Sequence, residues 1–304
     1  MTRHFLTIEA LGAEGLTRVC DLATSEGPPV LAHDEVALVF ERPSLRTRAA
    51  ASTAVHDLGG KVTFFSDEEI GMDSRESAED VGRTLAQMFA VTGLRVRRHS
   101  VFERISKATQ DSMALVNLMS DVAHPTQAVA DLLTMADYLA GGDVRGLAGV
   151  NVAYVGDVTN VARSLAVALL YVGANVTLGA PDDYQLAEGM LEDPRTLGGH
   201  LTLTDSAHDA VKGADVIYTD VWVSMGLEAQ SAQRLIDLEG FRVDDALLGA
   251  ASPGAVVLHC LPAHRGDDIT NDVLDGPQSV VWRQVYHRRS AMRGALRWIK
   301  EEPR

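Results

Sequence analysis

Short runs of β-favouring residues alternate with helix-length segments along this whole chain, and that alternation limits the fold more than any other feature. In the first half Val36–Phe40, Lys61–Phe65, Leu94–Arg97 and Met113–Asn117 read as strands, with helices between them and a longer helix from Thr126 to Ala140. In the second half Asn151–Val155, Asn175–Leu178, Leu201–Thr204, Asp215–Thr219 and Ala255–Leu258 read as strands, and Tyr286 to Glu301 as a closing helix. Strands joined through helices pair in parallel, since a parallel partner needs a long crossover that also covers the sheet. The fold class is α/β: two domains, each a parallel sheet flanked by helices, joined by helices including the C-terminal one.

A chain of 304 residues is long enough to bury two cores. Gly141-Gly142-Asp143 and the segment from Gly146 to Gly149 interrupt the pattern and read as the connection. The first domain is expected at 1–140, with the helix 286–304 packed back onto it, and the second at 148–285. A net charge of −15 argues against nucleic acid, which needs a basic face. No apolar run approaches a membrane span, and the N-terminus lacks a basic-then-apolar leader pattern. Cys20 and Cys260, the only cysteines, lie far apart without metal-ligand spacing, which points to a reducing cytoplasm and no metal.

Against that acidic background, Glu41-Arg42-Pro43-Ser44-Leu45-Arg46-Thr47-Arg48 stands out after the first strand and before the helical stretch Ala49 to Leu58. A helix start offers unpaired N–H groups, and arginine adds forked donors, so the segment suits a phosphate or carboxylate. In parallel sheets ligands sit beyond the carboxyl ends of the strands. Other polar clusters fall there too: Arg97 and Arg98, Gly156 to Asn160, Asp220 to Gly226, and His259-Cys260-Leu261-Pro262. His124-Pro125-Thr126-Gln127 opens the long helix. Each has a plain structural reading. His124 suits a turn, Asn160 and Asp220 suit helix caps, and Cys260 and Met225 suit a core. Their joint placement at strand ends favours a site.

Ser44-Leu45-Arg46-Thr47-Arg48 resembles the Ser-Thr-Arg-Thr-Arg motif of the aspartate/ornithine carbamoyltransferases, and His124-Pro125-Thr126-Gln127 looks like their His-Pro-x-Gln motif. Tyr154-Val155-Gly156-Asp157 with Asn160, Asp220-Val221-Trp222-Val223-Ser224-Met225-Gly226 and His259-Cys260-Leu261-Pro262 are similar to the ornithine branch of that family. The resemblance runs nearly end to end. It implies transfer of a carbamoyl group from carbamoyl phosphate to the side-chain amine of L-ornithine, giving L-citrulline and phosphate in arginine metabolism. It also implies no cofactor and a homotrimer or multiple of trimers. Ser44, Leu45, Arg46, Thr47, Arg97, His124, Gln127, Cys260, Leu261 and Arg288 are then expected to hold carbamoyl phosphate, and Asn160, Asp220, Ser224 and Met225 to hold ornithine. Arg97, His124, Asp220, Cys260 and Arg288 are the expected catalytic groups. The two substrate halves are expected to face one another across a closing cleft.

The chain departs from the family pattern at three places. Leu45 removes one hydroxyl from the first motif. The Ile70–Glu76 loop keeps a glutamate but no glutamine, leaving Arg75 as the substitute for an intersubunit contact. Gln284-Val285-Tyr286-His287-Arg288 stands where the family reads Gln-Ala-Glu-Asn-Arg, with the arginine in register. After the third strand Arg97 is the chosen anion contact and Arg98 its alternative. A nucleotide-dependent oxidoreductase is the first rival, and Gly156-Asp157-Val158-Thr159-Asn160 lacks the glycine spacing it needs. A non-catalytic regulator and an enzyme for an ornithine analogue are the others.

Overall fold

Two all-parallel sheets carry the chain, one in each of two compact units. The computed structural model describes residues 2–186, 198–223 and 228–301. The first unit comprises residues 1–130 with 286–304, and the second residues 131–285. Both changes of unit fall inside helices, Pro125–Leu139 and Val281–Lys300, while the glycine-rich segment 141–149 lies within the second unit.

In the first unit β1 (Glu35–Phe40), β2 (Lys61–Ser66), β3 (Val91–Arg95) and β4 (Ala114–Met119) are ordered β2-β1-β3-β4. In the second, β5 (Asn151–Val155), β6 (Asn175–Gly179), β7 (His200–Thr204), β8 (Val216–Thr219) and β9 (Val256–His259) are ordered β7-β6-β5-β8-β9. The inner strands are buried on both faces, which is why they read as unbroken apolar runs such as Val36 to Phe40. Ala37, Val39, Leu94 and Leu115 join Phe102 and Ile105 in one core; Ala153, Ile217 and Val257 join Phe241 in the other.

The strand order reverses between β1 and β3 in one sheet and between β5 and β8 in the other. Crevices for ligands open at such reversals, beyond the carboxyl ends. The segments leaving β1, β5 and β8 carry Ser44, Asn160 and Asp220, and Arg95 is the last residue of β3. Among the described residues no helix is long and apolar enough to cross a membrane.

Several boundaries differ from the sequence reading. The third strand was expected at Leu94–Arg97 and runs Val91–Arg95. Gly93 looks like a breaker in sequence, yet a Cβ there would sit 2.9 Å from Leu38 Cδ2 and 3.2 Å from Leu118 Cδ1, so the strand needs a residue without one. The last helix starts at Val281 rather than Tyr286. The helix after the first arginine segment starts at Leu45 rather than Ala49, because Ser44 caps it.

Candidate active site

In the first unit the polar groups converge on the start of the helix Leu45–Asp57. Ser44 caps it: its side chain accepts from the Thr47 N–H at 3.4 Å and donates to Thr47 Oγ1 at 3.0 Å. Leu45, at the first helical position, is 80% exposed, so the missing hydroxyl leaves no gap in the cluster. Thr47 Oγ1 also accepts a 2.8 Å hydrogen bond from Arg288 Nη2, which comes from the C-terminal helix. The same Nη2 lies 3.4 Å from His124 Nε2. Arginine only donates, so Nε2 carries the lone pair and the imidazole proton is assigned to Nδ1, 3.4 Å from Thr126 Oγ1.

His124 is buried, and burial first, then the Arg288 and Arg95 charges, hold its pKa well below the usual histidine value. The ring is neutral at pH 7 and adds no charge to a cationic pocket. Gln127 is buried one turn along the same helix start and its N–H donates to the His124 carbonyl at 3.0 Å. Arg46 is half-buried, and among the described residues its guanidinium makes no hydrogen bond or ion pair. Backbone N–H groups, a hydroxyl pair and converging guanidiniums make this a receptor for an anion.

Arg97 is not part of this cluster. Its side chain is 56% exposed and donates to Asp67 Oδ2 at 2.8 Å, while its N–H donates to Glu41. Arg98 is exposed as well. Arg95 is the buried arginine whose charge reaches His124, and it is the group that sequence reading missed. The pairing shifts at the end of the strand, where Leu94 faces Asn117 and Arg95 faces Met119, so Leu118 of β4 is the extra residue there. The run Val91-Thr92-Gly93-Leu94 immediately before Arg95 was the available signal.

In the second unit the register Thr219↔His259 places the next two residues side by side. The Cys260 thiol donates to Asp220 Oδ1 at 2.7 Å, and the Val221 N–H donates to the same oxygen at 2.7 Å. Burial pushes the Asp220 carboxyl up, against the opposing pull of His259 and Cys260. His259 Nδ1 accepts from the Leu261 N–H at 2.9 Å, and its Nε2 faces Asp268 Oδ1 at 3.3 Å, with both side chains fully buried. Leu261 takes φ +59, a left-handed conformation that this hydrogen bond helps to hold. The turn thereby presents the thiol toward Asp220.

Asn160 opens the helix Asn160–Tyr171 behind the Thr159 cap, at the end of the segment that leaves β5. Ser224 and Met225 lie outside the described residues. Asp220, His259 and Cys260 hold ligand atoms within 4.8 Å of one another, a spacing that would suit a thiophilic divalent ion. In the described arrangement these groups bond one another and the Leu261 backbone. Geometrically, the first unit offers donors suited to an oxyanion and the second a carboxyl–thiol pair suited to an amine.

Residues 3–137 match the carbamoyl-P binding domain of the aspartate/ornithine carbamoyltransferases, and residues 148–299 match their Asp/Orn binding domain. The chain is 38% identical over 309 residues to an ornithine carbamoyltransferase of Acidothermus cellulolyticus, covering 98% of this chain and 97% of that one. It is 34% identical over 304 residues to one from Methanosarcina mazei, covering 97% and 98%. Its structure is similar to the ornithine carbamoyltransferase from Pyrococcus furiosus, with TM-score 0.89 and 33% identity over 97% of this chain and 96% of that chain.

Proposed function

The chain belongs to the aspartate/ornithine carbamoyltransferase family, and from that membership we propose that it transfers the carbamoyl group of carbamoyl phosphate to the side-chain amine of L-ornithine, releasing L-citrulline and phosphate. The observation that carries the amine half is the Cys260 thiol donating to the buried Asp220 carboxyl at adjacent strand ends.

Carbamoyl phosphate is assigned to the first unit. Ser44, Arg46, Thr47 and the N–H groups of the helix start hold its phosphate, with Gln127 beside them. Arg288 and Arg95 are the donors for the carbonyl oxygen, where negative charge develops as the amine attacks, and neutral His124 positions Arg288 through Nε2. One such donor is typically worth about 10²–10³ in turnover. Arg95 takes the place given to Arg97 in the sequence reading, since only Arg95 is buried beside His124.

Ornithine is assigned to the second unit, with Asn160, Ser224 and Met225 toward its amino-acid end and Asp220 and Cys260 toward its side-chain amine. That amine has an ordinary pKa near ~10 and arrives as ammonium. Asp220, as the carboxylate, draws it in and takes the proton that must leave before attack, with the Cys260 thiol hydrogen-bonded beside it. The carbonyls of Cys260 and Leu261 are the acceptors for the carbamoyl NH₂. Cys260 acts without a covalent intermediate: the ornithine amine itself attacks the carbonyl, and Asp220 serves that amine.

A homotrimer or multiple of trimers, cytoplasmic and serving arginine metabolism, completes the proposal. Its support is the end-to-end family match, and light scattering tests the assembly. The reaction is tested by supplying carbamoyl phosphate with ornithine, N-acetylornithine, putrescine or aspartate. Citrulline and phosphate should appear in equal amounts with ornithine. A folded protein that produces none, or that prefers another amine, overturns the assignment.

A further inference from the structure

One buried arginine outside the groups described so far joins three of the segments that leave the second sheet. Arg234 lies on the helix Ser231–Leu238, and only 7% of it is exposed. Its Nε donates to the Trp222 carbonyl at 2.6 Å, two residues beyond Asp220. Its Nη2 forms an ion pair with Asp157, three residues before Asn160. The guanidinium also lies over the Tyr184 ring, 4.9 Å from its centre, in the segment that follows β6.

Other contacts draw the same segments together. The Val158 N–H donates to the Tyr184 carbonyl at 2.9 Å. The Tyr184 hydroxyl donates to Asp237 at 2.8 Å, one turn along the helix that carries Arg234. A Cβ at Gly156, which takes φ +113, would sit 3.1 Å from Trp222 Nε1, so the indole packs directly on the β5 turn. Burial raises the Asp157 carboxyl to about 6 even though Arg234 opposes it, so the ion pair is formed at neutral pH.

A buried arginine is costly to desolvate unless its donors are met. Here Nε and Nη2 are met by two different segments, so a shift of either leaves a buried donor unsatisfied, and a shift of the Asp157 segment also leaves the charge unpaired. Resting on the ornithine assignment above, we propose that Arg234 is a positioning residue for the amine substrate: it fixes the turn bearing Asn160 and the turn bearing Asp220 relative to each other. Its loss should therefore loosen ornithine without touching the carbamoyl phosphate receptor in the other unit.

The test is steady-state kinetics and thermal unfolding of Arg234→Met, Arg234→Lys, Asp157→Asn and wild type. Arg234→Met should raise the ornithine KM by about tenfold or more, with the carbamoyl phosphate KM unchanged and kcat at saturating ornithine within about threefold. Asp157→Asn should move the same constant in the same direction. Arg234→Lys should recover part of the loss, since one ammonium cannot serve Asp157 and the Trp222 carbonyl with the same fork. If Arg234→Met does not fold, the lysine and asparagine variants decide. Losses shared equally by both substrates, or an unchanged ornithine KM, overturn the inference while leaving the reaction standing. A wild-type protein that makes no citrulline overturns both.

Discussion

The Cys260 thiol lies 2.7 Å from Asp220 Oδ1 because β8 and β9 pair in parallel with Thr219 opposite His259. The first residue beyond each strand therefore meets its neighbour, and the turn held by His259 keeps the sulfur there.

That pair separates binding from turnover. Asp220→Asn keeps the shape and removes the charge that attracts an ammonium. The ornithine KM should rise at least about tenfold while carbamoyl phosphate binding is unchanged. Cys260→Ser should slow turnover about tenfold or more with little change in melting temperature. A wild-type rate would remove the thiol from the mechanism, and equal weakening of both substrates would make Asp220 structural.

Two arginines two residues apart should behave differently. Arg95→Ala should cost about 10²–10³ in kcat/KM for carbamoyl phosphate. Arg97→Ala breaks an exposed pair with Asp67, of a kind contributing about 0–1 kcal/mol, and should leave kinetics within about threefold. Kinetics of the two variants side by side decide the matter, and the reverse order would restore Arg97 to the site.

Arg288 reaches Thr47 and His124 with one nitrogen. Arg288→Lys retains charge but loses the planar fork, so carbamoyl phosphate affinity should fall about tenfold or more. Equilibrium binding measured without ornithine isolates this effect. Unchanged affinity with lowered kcat would place Arg288 on the transition state alone.

His124 should make stability depend on pH with a definite sign. Its pKa in the folded chain is depressed, so the unfolded chain binds the extra proton first. The stability is fully present above the ordinary histidine pKa of about 6.5 and is lost as pH falls from there toward the folded value, by up to about 1.4 kcal/mol per pH unit. Denaturant unfolding of wild type and His124→Gln between pH 7.5 and 5.5 should show the wild type losing ground below about 6.5. A constant difference would mean the imidazole titrates alike in both states, and one of opposite sign that it is charged when folded; either overturns the assignment.

Much of this was legible before the structure. Val36 to Phe40 and Asn151 to Val155 are strands in both descriptions, because central parallel strands are apolar on both faces. His124-Pro125 is readable as a helix start, because the chemistry of a helix's first turn is local. The third strand was displaced because Gly93 is there for its packing against Leu38 and Leu118, which lie far away in sequence.

The alternation of apolar runs and helical segments by itself determined two parallel sheets and put the reactive residues at strand ends, since periodicity and turn chemistry act over a few neighbours. Only the tertiary structure decided that Arg95 turns inward and Arg97 outward, that Arg288 meets Thr47, and that Arg234 joins Asp157 to Trp222. Those outcomes depend on strand register and on burial, where a slip of one residue sends a side chain to the opposite face.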